Sequence, residues 1–348
     1  MAKGFRGGER QTELLVLGLA ERGVVQTVVL RSGAGLEARL AAVSGVTVRP
    51  VGSSLPAALR ATRGAGLVHA HEGRAVHAAY LRKVLSGVPY VITRRVNHAP
   101  KSGWFTRRVY RRADAIAGLS QAVRRTLAAY DRRLNVRVIP SAAGRLRRNP
   151  DNVRRLRARF AGRFLVGHVG ALDQSTKGQL TLIRAARALR DVRPDIVVVL
   201  VGEGRDEAML RREAEGLDNV HFAGFTADVG DWLAAFDLFA FPSLQEGLGS
   251  VLLDALDFGL PIVASDVGGI PDIIVHGENG VLVPAADPAA LKDAILALHS
   301  DSARRHALGR AAREDAGRFT PERMVAAYLD LYRSAAPGLL GSLKGSAG

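Results

Sequence analysis

The sequence contains no cysteine among its 348 residues. This excludes a disulfide framework, a thiolate metal site and a cysteine nucleophile, and it fits a reducing compartment. No apolar run reaches the roughly 18 residues that a membrane-spanning helix needs. The first ten residues, MAKGFRGGER, have no apolar stretch behind their basic ones and do not read as a secretory signal. A cytoplasmic protein is the expectation. Acidic residues are scarce in one half only: residues 1–150 hold 27 Lys and Arg against 7 Asp and Glu, and the remainder holds 22 against 26. The formal charge of +16 is thus +20 on the first part and −4 on the second. Such a basic half attracts phosphates, nucleic acid or an anionic membrane surface. No repeat of solenoid period is present. No helix-turn-helix, zinc-finger or RNP pattern supports specific nucleic-acid binding.

What is present is alternation. VVQTVVL, VTVRPV, GLVHAH, PYVITRRV, AIAGLS and VRVIPS read as strands in the first half, and FLVGHVG, DIVVVLVG, VHFAGF, LFAFPS, PIVAS and GVLVP in the second. Helix-period segments such as QTELLVLGLAERG and AVHAAYLRKVLSG lie between several of them. Apolar strands separated by helices indicate parallel sheets covered on both faces, and two such series indicate two doubly wound α/β domains. Gly, Pro and Asn cluster in SAAGRLRRNPDNVRR, which places the boundary there. The expected domains are residues 1–145 and 146–318. A helix over 319–335 opens with Thr320-Pro321 and an acid in its first turn, and residues 336–348 are expected to be a disordered tail. The Gly-rich loop GFRGGER has only Met1–Lys3 ahead of it. In a doubly wound domain such a loop follows a mid-sheet strand, so the expectation is a first domain lacking its first strand.

Ligands of open parallel sheets bind at the C-terminal ends of the strands, and two such domains would hold one in a cleft between them. Three loops stand out. In GFRGGER, Gly4, Gly7 and Gly8 permit close backbone approach at a helix start, which is either a tight turn or a phosphate site. In HVGALDQSTKGQL, Lys177 precedes a helix. It is either a solvated lysine or a pyrophosphate clamp, and the Walker pattern is absent. In PSLQEGLGSVLLDALDFG, Glu246 lies on a strand-to-helix turn and Asp254 about two turns on. An acid inside the helix cannot readily face the other across a glycosidic bond, which disfavours a two-carboxylate hydrolase. Acceptance of hydrogen bonds from sugar hydroxyls suits both acids better. His69 and His71, two apart on a strand, face one side. Without a clear third ligand they do not read as a metal site, so His71 is taken as the cleft histidine and His69 as packed.

Glu246–Val283, EGLGSVLLDALDFGLPIVASDVGGIPDIIVHGENGVLV, resembles the signature of the family 4 glycosyltransferases, retaining enzymes of GT-B fold. GGERQTELLVLGLAERG, GLSQAVRRTL, STKGQ and FTPERMVAAYLDLY extend the likeness along nearly the whole chain. The resemblance implies two Rossmann-like domains facing across a cleft, with the final helix returning to the first. It implies a nucleotide-sugar co-substrate, UDP-linked first, with no metal or other cofactor. Glu246 would meet the donor sugar; Gly247, Leu248 and Gly249 would offer backbone N–H groups; Asp254 would accept the ribose hydroxyls; Lys177 would neutralise the diphosphate. Gly7 and Gly8 would face the diphosphate or acceptor, Gly202 joins the donor-binding set, and Lys177, Glu246 and His71 form the catalytic set. Asp254 stands where the family has Glu, and Ala171 where many members have Arg. Arg94 and Arg95 are candidates to supply that charge, with His98 close by.

SGWFTRRVYRRADAI mixes Trp104, Phe105, Val109 and Tyr110 with four arginines. As a helix it either packs its apolar side into the core or lies on an anionic membrane. The second option, with the +20 half, points to an acceptor on a cell-envelope glycolipid such as a lipopolysaccharide core or a phospholipid-linked sugar, and to peripheral contact with the inner face of the cytoplasmic membrane. The other classes left open are a catalytically impaired scaffold and a polyanion binder.

Overall fold

The computed structural model describes residues 7–52 and 54–339. Gly4, the segment Met1–Lys3 and the tail residues 340–348 lie outside the described residues. In chain order the elements are α1 (Gly7–Ala20), β1 (Gln26–Arg31), α2 (Gly35–Leu40), β2 (Val46–Val51), α3 (Leu55–Ala61), β3 (Val68–Ala70), α4 (Gly73–Ser86), β4 (Tyr90–Arg94), α5 (Trp104–Arg111), β5 (Ala115–Gly118), α6 (Gln121–Tyr130) and β6 (Val136–Val138). Then follow α7 (Pro150–Arg159), β7 (Phe164–Val169), the single turn α8 (Gln174–Lys177), α9 (Gln179–Arg190), β8 (Ile196–Val201), α10 (Glu207–Glu213), β9 (Val220–Gly224), α11 (Val229–Ala235), β10 (Leu238–Phe241) and α12 (Ser250–Asp257). The chain continues through β11 (Ile262–Ser265), β12 (Val281–Val283), α13 (Pro288–Ser300), α14 (Ser302–Asp315) and α15 (Pro321–Ala335). All twelve segments read as strands form strands. Their β-branched residues suit a pleated, buried surface and their flanking Gly and Pro end it.

The chain divides into two compact units, one of residues up to Gly144 together with Phe319 onward, the other Arg145–Arg318. In the second unit six parallel strands run β12-β11-β10-β7-β8-β9. β7 is the first strand of this unit and sits mid-sheet, with β8 and β9 on one side and β10, β11 and β12 on the other. Strand order therefore reverses between β7 and β10, and ligands bind at the C-terminal ends of the strands at such a reversal. The helices start where their sequences dictate. The side chains of Asp287 and Asp301 accept the Ala290 and Arg304 N–H groups at the starts of α13 and α14. β8, IVVVLV, is buried at every residue because it is paired on both edges and covered on both faces.

The first unit is built differently. Its parallel strands form two sheets, β1-β2 and β3-β4-β5-β6. Its buried side chains fall into separate clusters. One joins α1 and α15 to β4 and β5, a second lies under α4, α5 and α6, and a small third holds Val16, Leu30, Leu36 and Leu40. α15 carries Thr320 as its N-cap, with the hydroxyl accepting the Arg323 N–H, and it packs along α1. In α5, Val109 and Tyr110 are buried, whereas Trp104 is 78% exposed. Arg108 bonds the Tyr80 hydroxyl and Arg111 pairs with Asp131. The apolar side of this helix is therefore split: its C-terminal half belongs to the core and Trp104 stands outward. Among the described residues, no helix is long and apolar enough to cross a membrane.

Candidate functional site

The second unit gathers its polar residues on the loops that follow β7, β8, β10 and β11. After β7 the chain makes the turn α8, which ends on Lys177. Gly178 follows with a left-handed φ of +65° and α9 begins at once. Lys177 thus closes a one-turn helix instead of opening the long one. A Cβ at Gly178 would lie 2.1 Å from the Pro242 carbonyl oxygen, so only glycine lets the loops after β7 and β10 touch. The Leu244 and Gln245 amides both donate to the Thr176 carbonyl, at 2.8 and 3.2 Å.

That contact brings the Lys177 ammonium onto the Glu246 carboxylate as an ion pair. The two residues are 69 apart in sequence. Both are mostly buried, and the ammonium also lies 5.3 Å from the centre of the Phe241 ring. The Ser243 hydroxyl donates to the same carboxylate at 3.4 Å. The sequence assigned these two charges to different ligands; the structure holds them against each other. The loop after β11 locks the arrangement. Gly268, at φ +57°, would place a Cβ 2.0 Å from the Glu246 carbonyl oxygen, and the Gly269 amide donates to that oxygen at 3.3 Å.

The other expected residues fall around this pair. Gly249 (φ +87°) precedes α12, which has no side-chain cap; the Leu252 amide turns back to the Gly249 carbonyl at 2.9 Å, and a helix start of this kind suits an anionic ligand or water. Leu248 is buried, and Asp254 lies on the buried face of α12 with Leu252, Leu253 and Leu256. Gly247 stands between Glu246 and Leu248 on the same loop. Gly202 follows β8, and a Cβ there would lie 2.1 Å from the Gly170 carbonyl oxygen. Ala171 is exposed, and the cation beside its loop is Arg205, which bonds Asp173 at 2.8 Å and the Ser175 hydroxyl at 2.6 Å. Sequence reasoning missed Arg205, although it follows a strand end as Lys177 does. It also missed His168, fully buried on β7. Its Nδ1 lies 3.1 Å from the Ala240 carbonyl and its Nε2 lies 3.3 Å from the Gln179 amide nitrogen. Burial pulls its pKa down to about 4 against the effect of the Ala240 bond, and the Lys177 charge adds to the fall. The neutral ring ties β7, β10 and α9 together beneath the ion pair.

The first unit has a polar cluster of its own. His69 Nδ1 lies 2.7 Å from the Tyr332 hydroxyl and its Nε2 lies 2.7 Å from Thr93 Oγ1, which in turn lies 3.0 Å from the Tyr328 hydroxyl. Both ring nitrogens are thus engaged within the protein. His71 lies beside it, ring centres 3.8 Å apart and planes tilted by 40°, and its Nδ1 accepts from Arg95 at 3.2 Å. That bond leaves the proton of the neutral ring on Nε2. Burial first, then the Arg95 charge, holds His69 down to about 3; burial, His69 and Arg95 hold His71 well below its ordinary value. Arg94 and Arg95 leave β4 in opposite directions, as neighbours on a strand must. Arg94 donates to the His98 carbonyl at 2.5 Å, and His98 itself is exposed. Arg95 instead reaches His71 and the start of α1, where Gly8 lies beside its side chain. Gly7 and Gly8 are exposed there. The parts played by Thr93, Tyr328 and Tyr332 were not read from sequence, though the i, i+4 tyrosines of α15 were a visible sign.

Comparison with known proteins identifies the family and the fold. Residues 6–142 match the family model described as "Glycosyl transferase 4-like domain", and residues 163–301 match "Glycosyl transferases group 1". The D-inositol 3-phosphate glycosyltransferase of Pseudarthrobacter chlorophenolicus is 37% identical over 193 residues, which are 53% of this chain and 44% of that protein. The phosphatidyl-myo-inositol mannosyltransferase of Mycobacterium leprae is 37% identical over 134 residues, 37% of this chain and 36% of that one. The matches thus span less than half the length of these relatives. The crystal structure of Anabaena HepE in complex with UDP-glucose superposes with a TM-score of 0.84 over 96% of this chain and 98% of that one, at 22% identity. The sucrose-phosphate synthase of Thermosynechococcus elongatus does so at 0.77, over 92% and 91%, at 20% identity. With each half matched to a glycosyltransferase model and the fold shared along its length, the chain belongs to the family 4 glycosyltransferases of GT-B fold.

Proposed function

We propose that the protein moves a sugar, with retention of configuration, from a nucleotide-sugar donor to a hydroxyl of a membrane-linked glycolipid. The observation that carries this reading is the Lys177–Glu246 pair, held where strand order reverses and beside the uncapped start of α12. A donor diphosphate competes with Glu246 for the Lys177 ammonium, and the freed carboxylate accepts hydrogen bonds from the sugar hydroxyls. As the bond from the anomeric carbon to the phosphate oxygen breaks, negative charge grows on the leaving diphosphate and Lys177 and backbone N–H groups stabilise it. The acceptor oxygen bonds to the same face of that carbon, and its proton passes to the leaving phosphate. Asp254 takes the ribose hydroxyls. His71, its proton on Nε2, serves as a donor to a substrate oxygen. The chemistry asks for no metal and no further cofactor.

The test is a thermal-shift panel with UDP-, GDP-, ADP- and TDP-sugars on wild type and Lys177→Ala. A ligand that binds only the native state raises the midpoint. One nucleotide class, UDP first, is expected to raise it in wild type and not in the variant. No shift with any of them in folded protein would sink the reading.

The acceptor side of the proposal rests on Trp104, exposed at the start of α5 beside Arg107, in the half that carries +20. An indole flanked by cations suits an anionic lipid surface. Vesicles containing phosphatidylglycerol are expected to co-sediment the protein at low salt, and Trp104→Ala to reduce the bound fraction at least about threefold. Equal sedimentation of both proteins, or none of either, removes the membrane contact.

A further inference from the structure

The loops that carry Lys177 and Glu246 are joined by a second contact, one without charge. His168 of β7 and Gln179 of α9 are both fully buried. His168 Nδ1 lies 3.1 Å from the Ala240 carbonyl oxygen, 72 residues on. A carbonyl only accepts, so this nitrogen carries the proton, and burial keeps the ring neutral. Nε2 is then a bare acceptor. The Gln179 amide nitrogen lies 3.3 Å from it and 2.7 Å from the Ala171 carbonyl oxygen. Both of those neighbours accept, so the amide has one possible orientation, with one N–H for each. Every donor and acceptor in the row Ala240, His168, Gln179, Ala171 is thereby assigned.

The row ends on the two loops. Ala171 belongs to the loop that closes on Lys177, and Ala240 lies on β10 just ahead of the loop of Glu246. The Lys177 stem runs close by: a Cβ at Gly170 would lie 3.4 Å from His168 Nε2 and 4.0 Å from Lys177 Cδ. Phe241 touches both as well, its ring centre 6.0 Å from that of His168 and 5.3 Å from the Lys177 ammonium. The Gln179 Oε1 atom is buried and has no partner among the described residues. A methionine would fill the same space without stranding a polar atom. The amide therefore costs stability, and what its two N–H bonds supply is orientation.

We propose that His168 and Gln179 are positioning residues for the Lys177–Glu246 pair. They tie the loop after β7 to β10 and so hold the Lys177 ammonium where it meets Glu246 in the free protein and the diphosphate in the complex. They act through Lys177 and do not touch the reacting atoms. The proposal rests on the reading of Lys177 as the cation of the donor diphosphate. The second unit also contains a matched control. Asn219 is buried, donates its side-chain amide to the Ala186 carbonyl at 2.8 Å and leaves its Oδ1 without a partner among the described residues. It stands just ahead of β9, at the end of the parallel sheet opposite to the Lys177 loop.

The test compares Gln179→Met with Asn219→Leu in the full chain, at a temperature where circular dichroism shows both folded. The first readout is acylation of Lys177 by acetic anhydride in the unliganded protein, followed by peptide mass spectrometry. Gln179→Met is expected to speed it at least about threefold, as coupling within one network would, and Asn219→Leu to leave it at the wild-type rate. The second readout is transfer from the nucleotide sugar that raises the wild-type thermal midpoint. Gln179→Met should lower kcat about tenfold or more with the acceptor KM within about twofold, because a misplaced Lys177 is felt in the transition state. A Lys177 acylation rate at or below wild type overturns the proposal. So does an equal rise in Asn219→Leu, or a kcat unchanged in Gln179→Met. A wild type that transfers no sugar sinks the sugar-transfer reading instead, and the acylation rates then decide the positioning by themselves. Should Gln179→Met not fold, His168→Asn replaces it. That variant keeps a donor for Ala240 and removes the acceptor for Gln179, and the same outcomes decide.

Discussion

Lys177→Ala is expected to lower kcat for sugar transfer by about 100- to 1000-fold, the usual cost of removing one preorganised group that meets charge developing in a transition state. Glu246→Gln keeps the size of its side chain and is expected to cost about 10- to 100-fold, the worth of a hydrogen bond to a charged acceptor. The two are not independent. Each residue holds the other in the unliganded protein, so Lys177→Ala also strands a mostly buried carboxylate, at a stability cost of about 1–3 kcal/mol. The double variant removes that stranded charge. Its thermal midpoint should therefore recover toward wild type while its activity stays at the lower level, a non-additivity expected of residues in contact. Kinetics and thermal melts of the three variants check this. A Lys177→Ala enzyme with kcat within threefold of wild type would end the phosphate role, and additive stability losses would end the claim that the pair is coupled.

Gly268→Ala is expected to destabilise the protein by about 2–5 kcal/mol, combining backbone strain with overpacking, and to lower the midpoint by about 5–15 °C. The cause is specific. A Cβ there would lie 2.0 Å from the Glu246 carbonyl oxygen, which is backbone and cannot rotate away. The loop must then retreat and carry Glu246 with it, so activity falls as well. Gly277→Ala supplies the comparison. Its φ of +81° is equally left-handed, but nothing lies within 4 Å of the added atom. It should cost only about 1–2 kcal/mol, the price of the backbone conformation alone. Denaturant unfolding of both variants separates collision from strain, and equal losses would show that the contact on Glu246 is unimportant.

The fold was legible because its signals are local. A run such as IVVVLV bounded by Asp195 and Gly202 declares a buried strand, and Thr320-Pro321-Glu322 declares a helix start. Periodicity needs no knowledge of partners. The loop of Glu246 was legible for the same reason, since strand, Gly-rich turn and helix follow each other in one short stretch. The separate roles of Trp104 and Tyr110 were not. Both fit an amphipathic helix, and only packing against α4 and α6 decided which entered the core.

The alternation of strands and helices, the positive charge of one half and the residue types at the strand ends were all readable in the sequence, because each depends on composition or on neighbours a few positions away. Tertiary structure alone decided the contacts. It set Lys177 against Glu246, 69 residues on, and Tyr332 against His69 across 263. It turned Arg94 and Arg95 apart, and it left β1 and β3 on separate sheets. Partners so distant in sequence meet only after the sheets have formed, and the approach of one loop's backbone to another's then fixes which charges touch.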